Sequence, residues 1–119
     1  MEKKPTVAGL FRNAKETKTV DAGAVIFNEG DQGTEMFGII DGEVELSNQG
    51  GVLGRLGPDD VFGEMALIDH SPRSLTAIAV TETTLASIDR HRFLFLVQET
   101  PTFALNVMSV MAERLRNRT

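Results

Sequence analysis

The chain contains no cysteine, so neither a disulfide nor a thiolate metal site is available to it. Positive charge is also in deficit. Twelve Lys and Arg stand against 17 Asp and Glu, for a formal net charge of −5. That balance argues against non-specific DNA binding, which depends on neutralising phosphates. An anionic ligand must then be captured by a local positive pocket, not by the field of the whole molecule. No uninterrupted apolar run approaches the roughly 20 residues that a membrane span needs. The charged start, Met1-Glu2-Lys3-Lys4-Pro5, leads into no apolar signal segment. These absences point to a cytoplasmic protein with no membrane span. His70 and His91 lack partners in any nucleophile or metal pattern, and no metal, cofactor or catalytic residue is expected.

What is present suits one domain over residues 1–119. At 119 residues with 41% hydrophobic content, the chain is long enough for a real core and too apolar to be disordered. Residues 7–17 read as a short helix, with Val7, Leu10, Phe11 and Ala14 on one face. From residue 18 to 89 short apolar runs alternate with turn signals: Ala24–Phe27, Met36–Ile40, Val44 and Leu46, Thr76–Val80, and Leu85–Ile88. Asp41-Gly42 is a hairpin-type turn. The glycines at 51, 54 and 57 are turn residues around a short strand and make no dinucleotide fingerprint. Such spacing predicts a sandwich or rolled-up barrel. Residues 90–118 return to helix in two pieces, divided near Pro101, with Thr100 or Thr102 as cap. In the last helix Ala104, Met108, Met111 and Leu115 form one stripe. It either faces the core or is shared with a second subunit or a ligand. Arg114, Arg116 and Arg118 sit where the helix dipole favours cations.

The segment Phe62-Gly63-Glu64-Met65-Ala66-Leu67, followed by Pro72-Arg73-Ser74, carries the chemistry. A carboxylate can accept hydrogen bonds from sugar hydroxyls, and an arginine can grip a phosphate through two parallel N–H groups. A short helix starting after Gly63 aims free backbone N–H groups at the same anion. Pro72 disfavours a helical residue before it, so the chain must turn back, and Glu64 and Arg73 can face one pocket from two sides. The bland alternative is a surface ion pair worth little. The intervening glycine, proline and apolar residues weigh against it.

The motif and the element order resemble the cyclic nucleotide-binding domain family, which includes cyclic-AMP-dependent kinase regulatory subunits, bacterial catabolite activators and gated ion channels. The resemblance covers roughly residues 7 to 116. It takes in Gly23, Glu29-Gly30-Asp31-Gln32-Gly33, Asp41-Gly42-Glu43-Val44 and Leu56-Gly57-Pro58. The chain reads as a stand-alone member of bacterial type. The fold implied is mainly β with flanking helices: an eight-stranded jelly-roll β-barrel, an N-terminal helix, a short phosphate-cassette helix within residues 62–76, and two C-terminal helices.

By position, Glu64 matches the acid that accepts from the ribose 2′-hydroxyl, and Arg73 the arginine that pairs with the cyclic phosphate. Gly63 and Ala66 match positions whose backbone N–H groups approach ribose and phosphate. Ser74 can add a phosphate contact. The ligand-binding set is completed by Met65 and Leu75, with the Met65 side chain, like Leu67, expected to anchor the turn in the core. Two departures stand out. Leu75 occupies a position usually held by a small residue. Thr34 stands where many members carry an acid that steadies the arginine, with Glu35 the neighbouring candidate for that task.

The function implied is a non-enzymatic sensor of a 3′,5′-cyclic purine nucleotide, cyclic AMP first and cyclic GMP second, whose C-terminal helices rearrange on binding. Near Met108, Met111 or Arg114 a residue is expected to cover the base. Partners implied are the nucleotide, a homodimer through the last helix, and a downstream protein. The end of the chain at Thr119 is read as leaving no room for a helix-turn-helix, so no nucleic acid is expected for this chain alone. The alternatives are the sensor part of a longer transcription regulator, or a ligand-free dimerisation or scaffold module of the same fold.

Overall fold

The computed structural model describes Phe11, Ala14 and residues 16–116. Eight strands and three helices follow in the order β1 (Thr17–Val20), β2 (Val25–Phe27), β3 (Glu35–Asp41), β4 (Val44–Asn48), β5 (Gly51–Leu56), β6 (Val61–Phe62), α1 (Met65–Ile68), β7 (Thr76–Ala79), β8 (Thr83–Asp89), α2 (Arg90–Glu99) and α3 (Thr102–Arg116). The helix expected over residues 7–17 falls largely outside the described residues. Its expected end is not helical: Thr17 opens β1 and pairs with Ala86, as suits a segment rich in β-branched Thr17, Thr19 and Val20.

The strands form two antiparallel four-stranded sheets, in the orders β1-β8-β3-β6 and β2-β7-β4-β5. This is the jelly-roll connectivity. Among the described residues no strand pairs across from one sheet to the other, so the body is a two-sheet roll and not a closed barrel.

Two cores result. Between the sheets lie Phe27, Phe37, Ile39, Val44, Leu46, Phe62, Ala77 and Leu85. On the outer face of the β1-β8-β3-β6 sheet, Met36, Val61, Ala86 and Ile88 pack with Phe11, Leu67, Leu96, Phe103, Val107 and Val110. Strand β3 therefore has both faces covered, which is why Met36-Phe37-Gly38-Ile39 is a continuous apolar run, not an alternating one. In β7 it is Ala77 and Ala79, not Ile78, that are fully buried. Small side chains face inward where the aromatic cluster takes the space. Phe27, Phe37 and Phe62 stack with centroids 5.4–6.1 Å apart, contributing stability beyond their area.

The buried face of α3 is Phe103, Asn106, Val107 and Val110. The stripe expected to face the core is therefore out of phase: Met108 and Leu115 are exposed, and Ala104 and Met111 only partly buried. Phe103 sets the phase by packing edge-on to Phe11 and Phe93 at 6.2 and 5.7 Å. Among the described residues no single helix is long and apolar enough to cross a membrane.

Candidate functional site

Strand β6 delivers the chain to Gly63 at the open side of the inner core. Gly63 has φ +80°, a conformation that glycine adopts without strain, and it lets the chain leave the sheet and enter α1 at once. Glu64 caps α1 with helical backbone angles. The helix ends after one turn. Asp69 accepts a 3.0 Å bond from the Ser71 amide, and His70 follows in left-handed conformation at φ 59°. The Ser71 side chain and amide together hold the Asp69 carboxyl below its ordinary 3.8. Both halves of the motif then meet, as the position of Pro72 requires.

Arg73 is stitched to the β2–β3 loop. Its amide donates to the Asp31 carbonyl at 2.7 Å, and its carbonyl accepts from the Gly30 amide at 2.7 Å. Its side chain is buried among backbone: Nη1 donates to the Gly63 carbonyl at 3.0 Å and Nη2 to the Glu35 carbonyl at 2.7 Å. The guanidinium lies over the Phe27 ring, 4.2 Å from its centroid. Burial lowers its pKa from the ordinary value, opposed by the nearby charges of Glu35, Asp31 and Glu64. No ion pair among the described residues includes Arg73, and its buried Nε–H finds no acceptor among them. Glu35 does steady the arginine, but through its main-chain carbonyl; Thr34 is exposed.

Glu64 is 2% exposed. Both carboxylate oxygens accept from Nη1 of Arg114 in α3, at 2.7 and 2.6 Å. Arg114 thus does more than complement a helix dipole. At the other end of the cassette, Arg90, which opens α2, donates from Nη1 to the Leu67 carbonyl at 3.1 Å. Each C-terminal helix therefore holds one end of α1 through an arginine.

All seven residues singled out in the sequence (Gly63, Glu64, Met65, Ala66, Arg73, Ser74 and Leu75) line one cavity of about 20 Å³, together with Phe27, Leu46, Phe62 and Arg114. That is room for about one water, so a larger guest must displace a wall. Met65 is half-buried and belongs to the cavity wall, not to the core, whereas Leu67 is buried in the outer core. The half-turn between the two residues sends them to opposite sides of α1. Leu75 packs against the inner core as well as lining the cavity. Of the candidates in the last helix, Arg114 reaches the cassette, Met111 packs on the outer core, and Met108 is exposed. His70 and His91 are both exposed, and no metal-binding cluster occurs among the described residues.

This geometry coincides with what known proteins show. The family model described as the cyclic nucleotide-binding domain matches residues 17–100. The cyclic AMP receptor protein of Thermus thermophilus is 38% identical over 99 residues, 79% of this chain and 46% of the relative. A cyclic nucleotide-gated potassium channel of Mesorhizobium japonicum is 39% identical over 100 residues, 84% of this chain and 28% of the channel. Among solved structures, the catabolite activator protein of Thermus thermophilus superposes with a TM-score of 0.74 at 35% identity, covering 87% of this chain and 51% of that one. The chain belongs to the cyclic nucleotide-binding domain family. It spans about half or less of the length of these relatives.

Proposed function

We propose that this domain binds a 3′,5′-cyclic purine nucleotide, with cyclic AMP the preferred ligand, and acts as a cytoplasmic regulatory sensor without enzymatic activity. One observation carries the reading: Arg73 is a buried guanidinium with an unused Nε–H and no carboxylate in ion-pair contact among the described residues. Buried charges are ordinarily paired, and a phosphate on the cavity side would supply the missing anion and acceptor. Glu64 faces the same cavity and offers carboxylate lone pairs to a ribose hydroxyl. Ser74, exposed at the rim, offers a hydroxyl. The names of the Thermus receptor and of a cyclic-AMP-bound kinase regulatory structure of TM-score 0.63 favour cyclic AMP over cyclic GMP.

The same geometry suggests how binding is read out. A ribose hydroxyl arriving at Glu64 competes with Arg114 for the carboxylate, and a guest larger than the cavity pushes on α1, which Arg90 and Arg114 tie to α2 and α3. Binding shifts those helices only insofar as the nucleotide prefers one arrangement over the other. Whether the output is a DNA-binding segment of a longer regulator or another downstream protein is set outside the cassette. The direct test is thermal unfolding with cyclic AMP, cyclic GMP and linear 5′-AMP. At a hundred-fold excess over Kd a bound ligand stabilises by about 2.7 kcal/mol, or roughly 10 °C for a domain of this length. Cyclic AMP is expected to give that shift and 5′-AMP little. No shift with either cyclic nucleotide at millimolar concentration leaves only the scaffold reading.

A homodimer through α3 has its own observation. Leu105, Met108 and Leu115 are 54, 55 and 62% exposed, and with Ala112 they fall at the 3-4-3 spacing of a coiled-coil seam. Light scattering is expected to give a dimer mass that Met108→Glu with Leu115→Glu converts to a monomer. A wild-type monomer at high micromolar concentration would sink this part of the reading.

A further inference from the structure

Gly33, in the loop between β2 and β3, touches no part of the cavity, yet it borders the group that matters most there. A Cβ built on it would lie 2.4 Å from both Cζ and Nε of Arg73 and 2.5 Å from Nη2, distances at which one side must move. Its φ lies outside the left-handed region, so the backbone itself admits alanine. The glycine is thus required by the arginine, not by the turn. The Phe27 ring, at 4.2 Å, and Gly63, whose own Cβ position lies 2.8 Å from Nη1, close two of the other directions. The bonds to the Gly63 and Glu35 carbonyls hold only while the guanidinium stays in that bed.

We propose that Gly33 is a positioning residue for phosphate recognition. Its missing side chain leaves the slot in which the Arg73 guanidinium lies against Phe27, and a methyl group there drives that guanidinium toward the space the phosphate needs. Gly63 is a poorer probe, because its φ of +80° would add backbone strain to the steric effect. The inference rests on the cyclic nucleotide reading for its consequence, but not for its geometry.

The experiment is a cycle of Gly33→Ala and Arg73→Ala in the full chain, read by melting temperature, by the arginine Nε–Hε resonances without ligand, and by calorimetry with cyclic AMP. The expected result has three parts. The Arg73 resonance, identified by its loss in Arg73→Ala, moves in Gly33→Ala while those of the other arginines stay. Affinity falls roughly ten- to a hundred-fold, as for loss of one charge-assisted hydrogen bond. Any fall in melting temperature caused by Gly33→Ala disappears when Arg73→Ala removes the colliding group. An unmoved resonance, or a double variant whose melting loss is the sum of the single losses, overturns the proposal. So does wild-type affinity in Gly33→Ala. A wild-type chain indifferent to the nucleotide overturns the functional reading instead, and the resonance and melting data still decide the role of Gly33.

Discussion

Removal of Arg114 isolates the link between cassette and last helix. In Arg114→Ala the Glu64 carboxylate, 2% exposed, loses the donor that serves both of its oxygens. Removing one partner of a fully buried pair destabilises by about 3–5 kcal/mol. Arg114's side chain is 27% exposed, so solvent screening and water entry reduce this to about 2 kcal/mol. An unfolding entropy of about 2.1 cal/mol/K per residue over 119 residues gives about 0.25 kcal/mol/K, so each kcal/mol corresponds to about 4 °C. Differential scanning calorimetry should therefore show a melting temperature lower by about 8 °C. Glu64→Gln on top of Arg114→Ala should recover a good part of that, since a neutral amide is cheaper to bury without a partner than a carboxylate. A change below about 2 °C in Arg114→Ala, or further loss on adding Glu64→Gln, would refute the view that this pair joins α3 to the cassette.

Two other outcomes are expected. Phe62 is fully buried and stacks on Phe27 and Phe37, so Phe62→Ala should lower stability in urea by about 3–5 kcal/mol; a change under about 1 kcal/mol would mean that the inner core closes over the gap. The Asp69 carboxyl, held low first by the Ser71 side chain, should titrate below 3.8 by NMR, and Ser71→Ala should raise its midpoint. Because the folded value is depressed, the contribution of Asp69 to stability is present at neutral pH and is lost as pH falls through that midpoint.

The jelly roll was legible because its strands carry turn punctuation at each end, and the cassette because Gly63, Glu64, Pro72 and Arg73 are contiguous. What stayed hidden depended on contacts between distant segments. Strand β1, with residues exposed through three of its four positions, shows no hydrophobic alternation. The two-residue strand β6 is too short for any periodicity. The phase of α3 is set by Phe103 meeting Phe11 and Phe93, and a helix that offers apolar residues on two faces does not reveal which one the core takes. Arg114 has an adequate local explanation in the helix dipole, and only its approach to Glu64, 50 residues earlier, shows a second role. Gly33 looks like any turn glycine until the Arg73 side chain is placed against it.

The central claim is that Arg73 binds the phosphate of a cyclic nucleotide. Isothermal titration calorimetry of the wild type and Arg73→Ala with cyclic AMP tests it most directly. The account predicts saturable binding to the wild type and a tens- to thousands-fold loss in the variant, from a deficit of roughly 2–5 kcal/mol for a buried charge partner. Equal affinity in the two proteins, with the variant folded, would contradict it.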